Sequence, residues 1–252
     1  MSQVITYERI SDLKRLNFIA EAVSGKVGEH GKVLDVGCGN GVISIQLGKL
    51  GFNVTGIDVS EKTIENARKN NIYPNVRFRV QSAEELKATG EQFDVIICSE
   101  VLEHLHNPSA LLEVLHSSLK PDGILIVTVP NGQGPRETLV TKPILKMRED
   151  NGFLWKTVSK LKKKLGYTGT TVQSSADNLD HVQFFTRDKL TGLAAKNKFR
   201  IVRFGKANFI EDVFPFSIFT KRIKFLQRLD CKVAEVLPYS CTGGFFSVWE
   251  KM

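Results

Sequence analysis

The segment VLDVGCGNG at residues 33–41 constrains the fold of this 252-residue chain more than any other feature of the sequence. A short apolar run leads directly into Gly37, Gly39 and Gly41, and a helical pattern starts at once. Glycine lets a backbone turn sharply and approach a ligand without interference from a Cβ atom. The segment therefore predicts a strand, a ligand-binding loop and a helix, in that order.

Strand and helix patterns alternate along the first half of the chain. Strands are predicted at 32–36, 52–59, 76–81, 93–99 and 123–129, and helices at 11–24, 41–51, 60–70 and 109–119. Apolar runs separated by helices are typical of a parallel sheet covered on both faces. A helix near 187–196, a strand at 199–205 and a final strand at 244–251 follow a long basic segment.

Composition places the chain among ordinary globular proteins, since 42% of its residues are hydrophobic and 25% are charged. The net charge of +8 allows an acidic partner such as nucleic acid, anionic lipid or a phosphorylated substrate, without selecting one. The four cysteines form no CxxC pair, which suits a reducing cytosol, and the N-terminal sequence lacks the pattern of a signal peptide. We therefore expect a cytoplasmic protein that meets a membrane only at its surface.

Acidic residues at two predicted strand ends favour an adenosyl-sulfonium ligand over a dinucleotide. Asp35 precedes the glycines in a DxGxGxG pattern, where it would repel a pyrophosphate but suits an ammonium and a sulfonium. Asp58 ends the second strand, where a carboxylate can accept both ribose hydroxyls of an adenosine. Residues 82–84 follow the third strand and could read the adenine edge.

Taken in order, these segments resemble class I S-adenosylmethionine-dependent methyltransferases over residues 30–132. The resemblance is carried by VLDVGCGNG, GID, QSAE, FDVIICSEVLEH and LKPDGILIVTVPN. It implies S-adenosylmethionine as the cofactor, with contacts from Asp35, Gly37, Cys38, Gly39, Asp58, Val59, Ser82, Ala83, Glu84 and Ser99. Ser82 departs from the family pattern, which more often has Asp there, and Cys38 enters only as a small side chain in the loop.

The resemblance also implies the fold class and the organisation of the chain. We expect an α/β protein with a Rossmann-like, seven-stranded, mostly parallel sheet sandwiched by helices, an antiparallel final hairpin, and a basic helical insertion after strand 5. One domain would span 1–252. Within it, 30–132 would form the cofactor-binding core, 133–180 an inserted lid or substrate region, and 181–252 a C-terminal helix and strand hairpin.

The segment SEVLEHLHN at 99–107 supplies residues that could act on the methyl acceptor. In a helix, Glu100, Glu103 and His104 would lie on one face, where they would shift each other's pKa unless a cation lay between them. His181 precedes a predicted helix and is expected at the same sheet edge. Because carboxylate and imidazole ligands suit Mg²⁺, Mn²⁺ or Zn²⁺, these four residues form a predicted metal site.

Two interpretations of this cluster stay open. The ExxEH stretch is similar to that of ubiquinone-type O-methyltransferases and of small-RNA terminal 2′-O-methyltransferases, in which a divalent ion would bind the acceptor hydroxyl and ease its deprotonation. The same residues occur in metal-free class I enzymes, where they shape the pocket or act as a base. On that interpretation Glu103, His104 and His181 are catalytic, with one of the two histidines as the general base.

Two basic segments rich in aromatic residues bear on the nature of the acceptor. The pattern at 153–167 predicts a cationic amphipathic helix, and 214–229 repeats the combination of aromatic and basic residues. Such segments can lie on an anionic membrane, contact the phosphates of a nucleic acid, or form a solvated lid. The order of TVPNGQGPRE, the basic insertion, DHVQFFTRDKL and LPYSCTGGFFSVWEK is also similar to that of bacterial methyltransferases of cell-envelope saccharide or lipid-linked glycan pathways.

These observations predict O-methylation of a small or lipid-linked acceptor of the saccharide or quinol type. Peripheral membrane contact through the basic segments remains open. A metal-dependent RNA 2′-O-methyltransferase is the first alternative, although no recognisable RNA-binding module is present in the sequence. A non-enzymatic scaffold that binds the cofactor is the second alternative.

Overall fold

A computed structural model of the chain describes residues 7–28, 31–143, 181–213, 216–220 and 223–252. The insertion predicted at 133–180 is therefore described only at its start and at its boundary with His181. The amphipathic helix predicted at 153–167 lies outside the described residues.

The described residues contain seven strands, and all of them belong to one sheet. The strands are β1 (Lys32–Val36), β2 (Asn53–Asp58), β3 (Val76–Val80), β4 (Phe93–Ser99), β5 (Leu119–Pro130), β6 (Phe199–Lys206) and β7 (Gly244–Lys251). Their spatial order is β3-β2-β1-β4-β5-β7-β6, and β7 runs antiparallel to both of its neighbours. The predicted mostly parallel sheet with an antiparallel final hairpin is confirmed.

Helices connect the strands and cover the sheet. They are α1 (Ile10–Lys26), α2 (Val42–Lys49), α3 (Glu61–Asn70), α4 (Leu86–Thr89), α5 (Pro108–Ser118), α6 (Arg187–Lys196), α7 (Phe216–Thr220) and α8 (Lys224–Val236). In the part of the chain that the structure describes, none of these helices combines the length and the apolarity that a membrane span requires.

The ends of two elements show how local chemistry sets their boundaries. Helix α3 begins as predicted after Ser60, whose Oγ accepts a hydrogen bond from the backbone N–H of Thr63 at 3.3 Å. Strand β5 begins earlier than the predicted residue 123, because Leu119 already pairs with Phe93 of β4 ahead of a shift in register. The predicted start of that strand was therefore wrong by four residues.

The hydrophobic core lies in two layers, one on each side of the sheet. Successive residues of a strand point to opposite faces, so Val33 joins one layer and Leu34 joins the other. Ile19 of α1 packs in the first layer, and Leu112 of α5 packs in the second. Because both faces are covered, a ligand reaches the sheet at the carboxyl ends of its strands, as in other open α/β sheets.

Candidate active site

The loop between β1 and α2 has a backbone conformation that favours glycine at two of its positions. Gly37 has a φ of 67° and Gly39 a φ of 56°, both in the left-handed region. A Cβ atom on Gly37 would lie 2.6 Å from Cγ2 of Val101, which follows β4. The absence of a Cβ at Gly37 therefore allows the Val101 side chain to pack against the loop at the carboxyl edge of the sheet.

Asp58 lies beside this loop at the carboxyl end of β2. Its Oδ2 accepts a hydrogen bond from the backbone N–H of Gly39 at 3.0 Å, and its Oδ1 accepts one from Ser60 at 2.9 Å. A carboxylate has about four acceptor sites, so both oxygens can also accept from the hydroxyls of a sugar. Val59, the next residue, is exposed and adds an apolar surface next to the carboxylate.

Asp35 lies under the glycine loop and faces α2. Its Oδ2 accepts a hydrogen bond of 2.6 Å from the hydroxyl of Ser44. Burial raises the pKa of Asp35 to about 7, although the hydrogen bond from Ser44 opposes the shift. The contact between Asp35 and a cofactor stays a prediction, and the hydrogen bond from Ser44 shows that this carboxylate joins β1 to the first turn of α2.

The residues predicted to read an adenine lie at the carboxyl end of β3, next to Asp58. The backbone N–H of Gln81 donates to the carbonyl of Asp58 at 3.1 Å, which holds the start of this segment beside β2. Residues 82 and 83 are half-buried and Glu84 is exposed. The segment therefore occupies a position in which its side chains and backbone can face a ligand held by Asp58.

Ser99 and Cys38, like Asp35, are buried among the predicted cofactor residues. The hydroxyl of Ser99 lies 2.8 Å from that of Thr128 on β5, so the two side chains are hydrogen bonded inside the sheet. Burial raises the pKa of the Cys38 thiol well above its usual value, and the sulfur lies 3.7 Å from the carbonyl oxygen of Gly39. The thiol therefore stays protonated at neutral pH and acts as a packing group.

Three of the predicted acceptor-site residues come together past the end of β4. Ligand atoms of Glu103, His104 and His181 lie within 4.8 Å of one another, and the two imidazole centroids are 5.2 Å apart. The backbone N–H groups of Val182 and Gln183 both donate to the carbonyl of Glu103 at 2.9 Å. These hydrogen bonds hold the segment that carries His181 against the segment that carries Glu103.

Glu100 lies outside this group, and the helical face expected for it does not form. The segment is helical only as a single 3₁₀ turn at Leu102–His104, and Glu100 precedes that turn with a φ of 57°. The Glu100 side chain instead accepts a hydrogen bond from the hydroxyl of Thr128 at 3.0 Å and lies 3.5 Å from the guanidinium of Arg15.

The carboxylate of Glu103 is buried without hydrogen bonds from the described residues. The residue is 1% exposed, neither oxygen accepts a hydrogen bond there, and Nε2 of His104 lies 3.7 Å away. Burial, followed by the charge of Glu100, raises the pKa of Glu103 well above its usual value. A buried carboxyl group of this kind is stabilised either by a proton or by a cation beside it.

Glu137 joins the cluster although no sequence pattern predicted it, and it lies in a single π-helical turn at Glu137–Thr141 after β5. Its Oε1 is 3.4 Å from Nδ1 of His181, and the side chain is buried. Burial raises the pKa of Glu137, but the neighbouring His181 and the charge of Arg136 lower it below its usual value. A carboxylate beside one ring nitrogen holds an imidazole in one orientation.

Arg15 of α1 is a second residue of the site that was not predicted from the sequence. Its buried guanidinium lies 3.5 Å from Oε1 of Glu100 and 3.0 Å from Oδ1 of Asp12. The signal was present in the sequence, because Arg15 falls on the inward stripe of the helix with Ile19 and Ala22. A positive charge therefore stands at the carboxyl edge of the sheet, close to the end of β4.

With this geometry in place, comparison with known proteins identifies the family. A family profile described as "Methyltransferase domain" matches residues 8–203, which is most of the chain. The chain belongs to this methyltransferase family. The match includes the glycine loop, Asp58 and the cluster of Glu103, His104 and His181.

Curated relatives of this methyltransferase chain match just under half of its length. It is 37% identical over 124 residues to the ubiquinone biosynthesis O-methyltransferase of Actinobacillus pleuropneumoniae serotype 7 (strain AP76), covering 46% of this chain and 52% of that protein. It is 36% identical over 129 residues to the protein of the same name in Pasteurella multocida (strain Pm70), with the same coverage. The chain therefore spans about half the length of the curated relatives it matches.

Solved structures share the fold of this methyltransferase over nearly its whole length. A magnesium protoporphyrin IX methyltransferase from Synechocystis PCC 6803 with bound S-adenosylhomocysteine has a TM-score of 0.56 and 19% identity, covering 96% of this chain and 84% of that one. A SAM-dependent methyltransferase from Methanosarcina mazei has a TM-score of 0.59 and 20% identity, with coverage of 92% and 97%. At these identities the likeness concerns the fold alone.

Proposed function

We propose that this chain transfers a methyl group from S-adenosylmethionine to a hydroxyl oxygen of a small, quinol-type acceptor. The observation that carries the proposal is the placement of two sites at one sheet edge. The glycine loop and Asp58 follow β1 and β2, while Glu103 and His104 follow the adjacent strand β4. A donor held by the first group would point its methyl toward an acceptor held by the second.

The residues of the first group fit an adenosyl-sulfonium donor. When bound, S-adenosylmethionine supplies a methyl group that is displaced in line by the acceptor oxygen, so positioning is the main task of the protein. Asp58 would accept the ribose hydroxyls, and residues 82–84 would border the adenine. Gly37 is half-buried and carries no Cβ, so its backbone would pass close to the donor.

The residues of the second group fit a divalent cation. Both oxygens of Glu103 lack hydrogen bonds among the described residues, and two imidazoles lie beside them. A carboxylate with two imidazoles is a donor set suited to Zn²⁺, Mn²⁺ or Fe²⁺. When bound, such an ion would lower the pKa of a coordinated acceptor hydroxyl. Without an ion, His104 or His181 would take the hydroxyl proton directly, with Glu137 orienting His181.

The quinol-type acceptor is supported by the relatives, which are named ubiquinone biosynthesis O-methyltransferases. A phenolic hydroxyl also fits the chemistry of the second group, because it must lose its proton as the methyl arrives. A saccharide, a lipid-linked glycan and an RNA 2′-hydroxyl remain the alternative acceptors, which a labelling experiment separates.

The proposal is tested by methyl transfer from labelled S-adenosylmethionine to fractionated cell extract and to an isoprenoid catechol. We expect the label in the catechol methyl ether, identified by mass spectrometry, with at least about a hundredfold loss in Glu103→Gln and His181→Asn. His106→Asn is the matched control, because His106 is an exposed neighbour of the cluster, and it should keep its activity.

The other outcomes of this experiment assign the alternatives. Loss of labelling with a chelator, restored by added Mn²⁺ or Zn²⁺, supports the metal, whereas unchanged labelling supports a histidine base. Label recovered in RNA ends, with strongly salt-dependent binding, would replace the quinol acceptor by RNA. Binding of S-adenosylmethionine without transfer to any acceptor would indicate a scaffold and would contradict the proposal.

A further inference from the structure

The outward sides of α7 and α8 carry a concentration of exposed apolar side chains. Five large apolar residues there have exposed fractions between 45% and 71%, namely Phe216, Phe219, Ile223, Phe225 and Leu229. We call this set the apolar face. Soluble proteins seldom expose several large apolar groups together, and such patches commonly mark an interaction site.

The apolar face is opposite to the side of α8 that the protein buries. The buried residues of α8 follow the spacing of one helical stripe and are Gln227, Asp230, Cys231 and Ala234. Phe225 and Leu229 each lie two positions from Gln227, which places them on the opposite side of a helix with about 3.6 residues per turn. Helix α8 therefore turns polar residues toward the protein and large apolar residues outward, which is the reverse of a solvated surface helix.

Polar contacts, rather than apolar packing alone, fix the inner side of α8. The carboxylate of Asp230 accepts hydrogen bonds from the backbone N–H groups of Phe209 and Ile210 at 2.8 and 2.9 Å. The side chain of Gln227 accepts one from Ile10 at the start of α1 at 3.0 Å. These directional contacts hold the helix in one rotation about its axis, so the apolar residues remain turned outward.

Exposed cations border the apolar face. Lys224, Arg228 and Lys232 of α8 are all exposed. The two acids of the same helix are engaged elsewhere, since Asp230 faces inward and Glu235 pairs with Lys14 of α1. Apolar residues that enter a lipid headgroup boundary, bordered by cations that attract anionic lipids, are the features of an interfacial membrane helix.

We propose that α7 and α8 form a docking surface for an anionic membrane. A second copy of this chain is disfavoured as the occupant, because a two-fold contact at this face would bring the same three cations together. RNA is disfavoured because Ile223 and Leu229 offer no ring on which a base can stack. An anionic bilayer matches both the aliphatic and aromatic side chains and the charge around them.

The docking surface is joined to the helix that borders the candidate active site. Gln227 binds the first residue of α1, and Arg15, five residues further along the same helix, contacts Glu100. Five residues correspond to about 8 Å along a helix axis. Helix α8 therefore links a membrane bound by the apolar face to α1, whose Arg15 contacts Glu100 just past the end of β4. This inference goes beyond the proposed methyl transfer, because docking can be measured without donor or acceptor.

The test is cosedimentation of the full chain with phosphatidylcholine vesicles, with and without about one third phosphatidylglycerol. We expect the full chain to bind the anionic vesicles at least about tenfold more tightly than the neutral ones. The Phe225→Ser/Leu229→Ser variant should bind them at least about tenfold more weakly. The Lys224→Gln/Arg228→Gln/Lys232→Gln variant should lose the preference for anionic lipid.

Control variants separate docking from a change in stability. Leu50→Ser/Ile72→Ser removes exposed apolar residues beyond the ends of α2 and α3 and should bind as the wild type does. Phe225→Leu keeps an apolar residue at the same position and should retain binding. The proposal is overturned if the full chain does not bind anionic vesicles, or if Leu50→Ser/Ile72→Ser loses as much binding as Phe225→Ser/Leu229→Ser does. Dimerisation or RNA binding that depends on Phe225 and Leu229, with no vesicle binding, also overturns it.

Discussion

The carboxylate of Asp58 accepts a hydrogen bond from the backbone N–H of Gly39 at 3.0 Å, which joins the end of β2 to the glycine loop. A second hydrogen bond, from Ser60 at 2.9 Å, holds the other carboxylate oxygen. The acid that would grip the ribose therefore also holds the loop against which the donor would lie. A site arranged in this way before the ligand arrives loses less conformational freedom on binding.

We expect Asp58→Ala to weaken binding of S-adenosylhomocysteine by at least about thirtyfold, from the loss of about 2 kcal/mol of charge-assisted hydrogen bonding. Asp58→Asn keeps one acceptor oxygen, so its affinity for S-adenosylhomocysteine should lie between those of Asp58→Ala and the wild type. The measurement is the increase in melting temperature at saturating ligand, with Glu61→Gln as the control for an exposed acid nearby. An equal increase for Asp58→Ala and the wild type would contradict this role.

Gly37→Ala should destabilise the chain more than Gly90→Ala does. Both glycines have a positive φ, but a Cβ on Gly90 meets nothing within 4 Å, whereas one on Gly37 meets Val101 at 2.6 Å. The backbone alone costs about 1–2 kcal/mol in each case. Midpoints of urea unfolding measure the difference, and in a Val101→Ala background the added cost of Gly37→Ala should be close to the cost of Gly90→Ala in the wild type. Equal midpoints for the two single variants would exclude the contact with Val101.

The free energy of unfolding should depend on pH through Asp35. Its pKa is about 7 in the folded chain, against about 4 in an unfolded one, so the folded state holds the proton more tightly. The contribution of Asp35 to the free energy of unfolding is fully present below about pH 4. It is lost as the pH rises to about 7, by at most about 1.4 kcal/mol per pH unit.

Asp35→Asn removes this titration and retains an acceptor for Ser44. Relative to the wild type, its unfolding free energy should therefore rise between about pH 4 and pH 7 in chemical denaturation without ligand. Asp122→Asn, at an exposed acid, is the control and should show no such trend. A difference between Asp35→Asn and the wild type that is constant across this range would contradict the account.

The sheet and the glycine loop could be predicted from the sequence because their signals are local. Apolar runs broken by glycine indicate buried strands and turns, and Ser60 occupies the cap position before α3 that its side chain favours. The match of the family profile at residues 8–203 agrees with that prediction. For the same reason, the residues around Asp58 were enough to predict its position at a strand end.

The acceptor site could be predicted only in part, because its members meet through backbone geometry. Glu100 does not lie on the expected helical face, because its N–H donates to the carbonyl of Thr128 at 2.9 Å and its φ is positive. Glu137 lies in a segment without hydrophobic periodicity, so no pattern brought it near His181. His181 could be placed beside Glu103 only because the predicted helix that follows it located the segment at the same sheet edge.

Glu137 should act as a positioning residue for His181. Glu137→Gln removes the charge beside Nδ1 of His181, and the loss of a group that orients a metal ligand typically weakens metal binding by about tenfold or more. The measurement is the affinity for Mn²⁺ by calorimetry, without donor or acceptor, and Glu113→Gln is the exposed control. Unchanged Mn²⁺ affinity in Glu137→Gln, where the wild type binds, would show that Glu137 does not support the cluster.

The edge formed by the glycine loop and Asp58 should bind an adenosyl-sulfonium. Isothermal titration of the purified full chain with S-adenosylmethionine measures this binding and requires no knowledge of the acceptor. We predict saturable binding with one donor per chain, competed by S-adenosylhomocysteine and weakened by at least about thirtyfold in Asp58→Ala. A folded chain that binds neither compound would show that this edge is not a donor site.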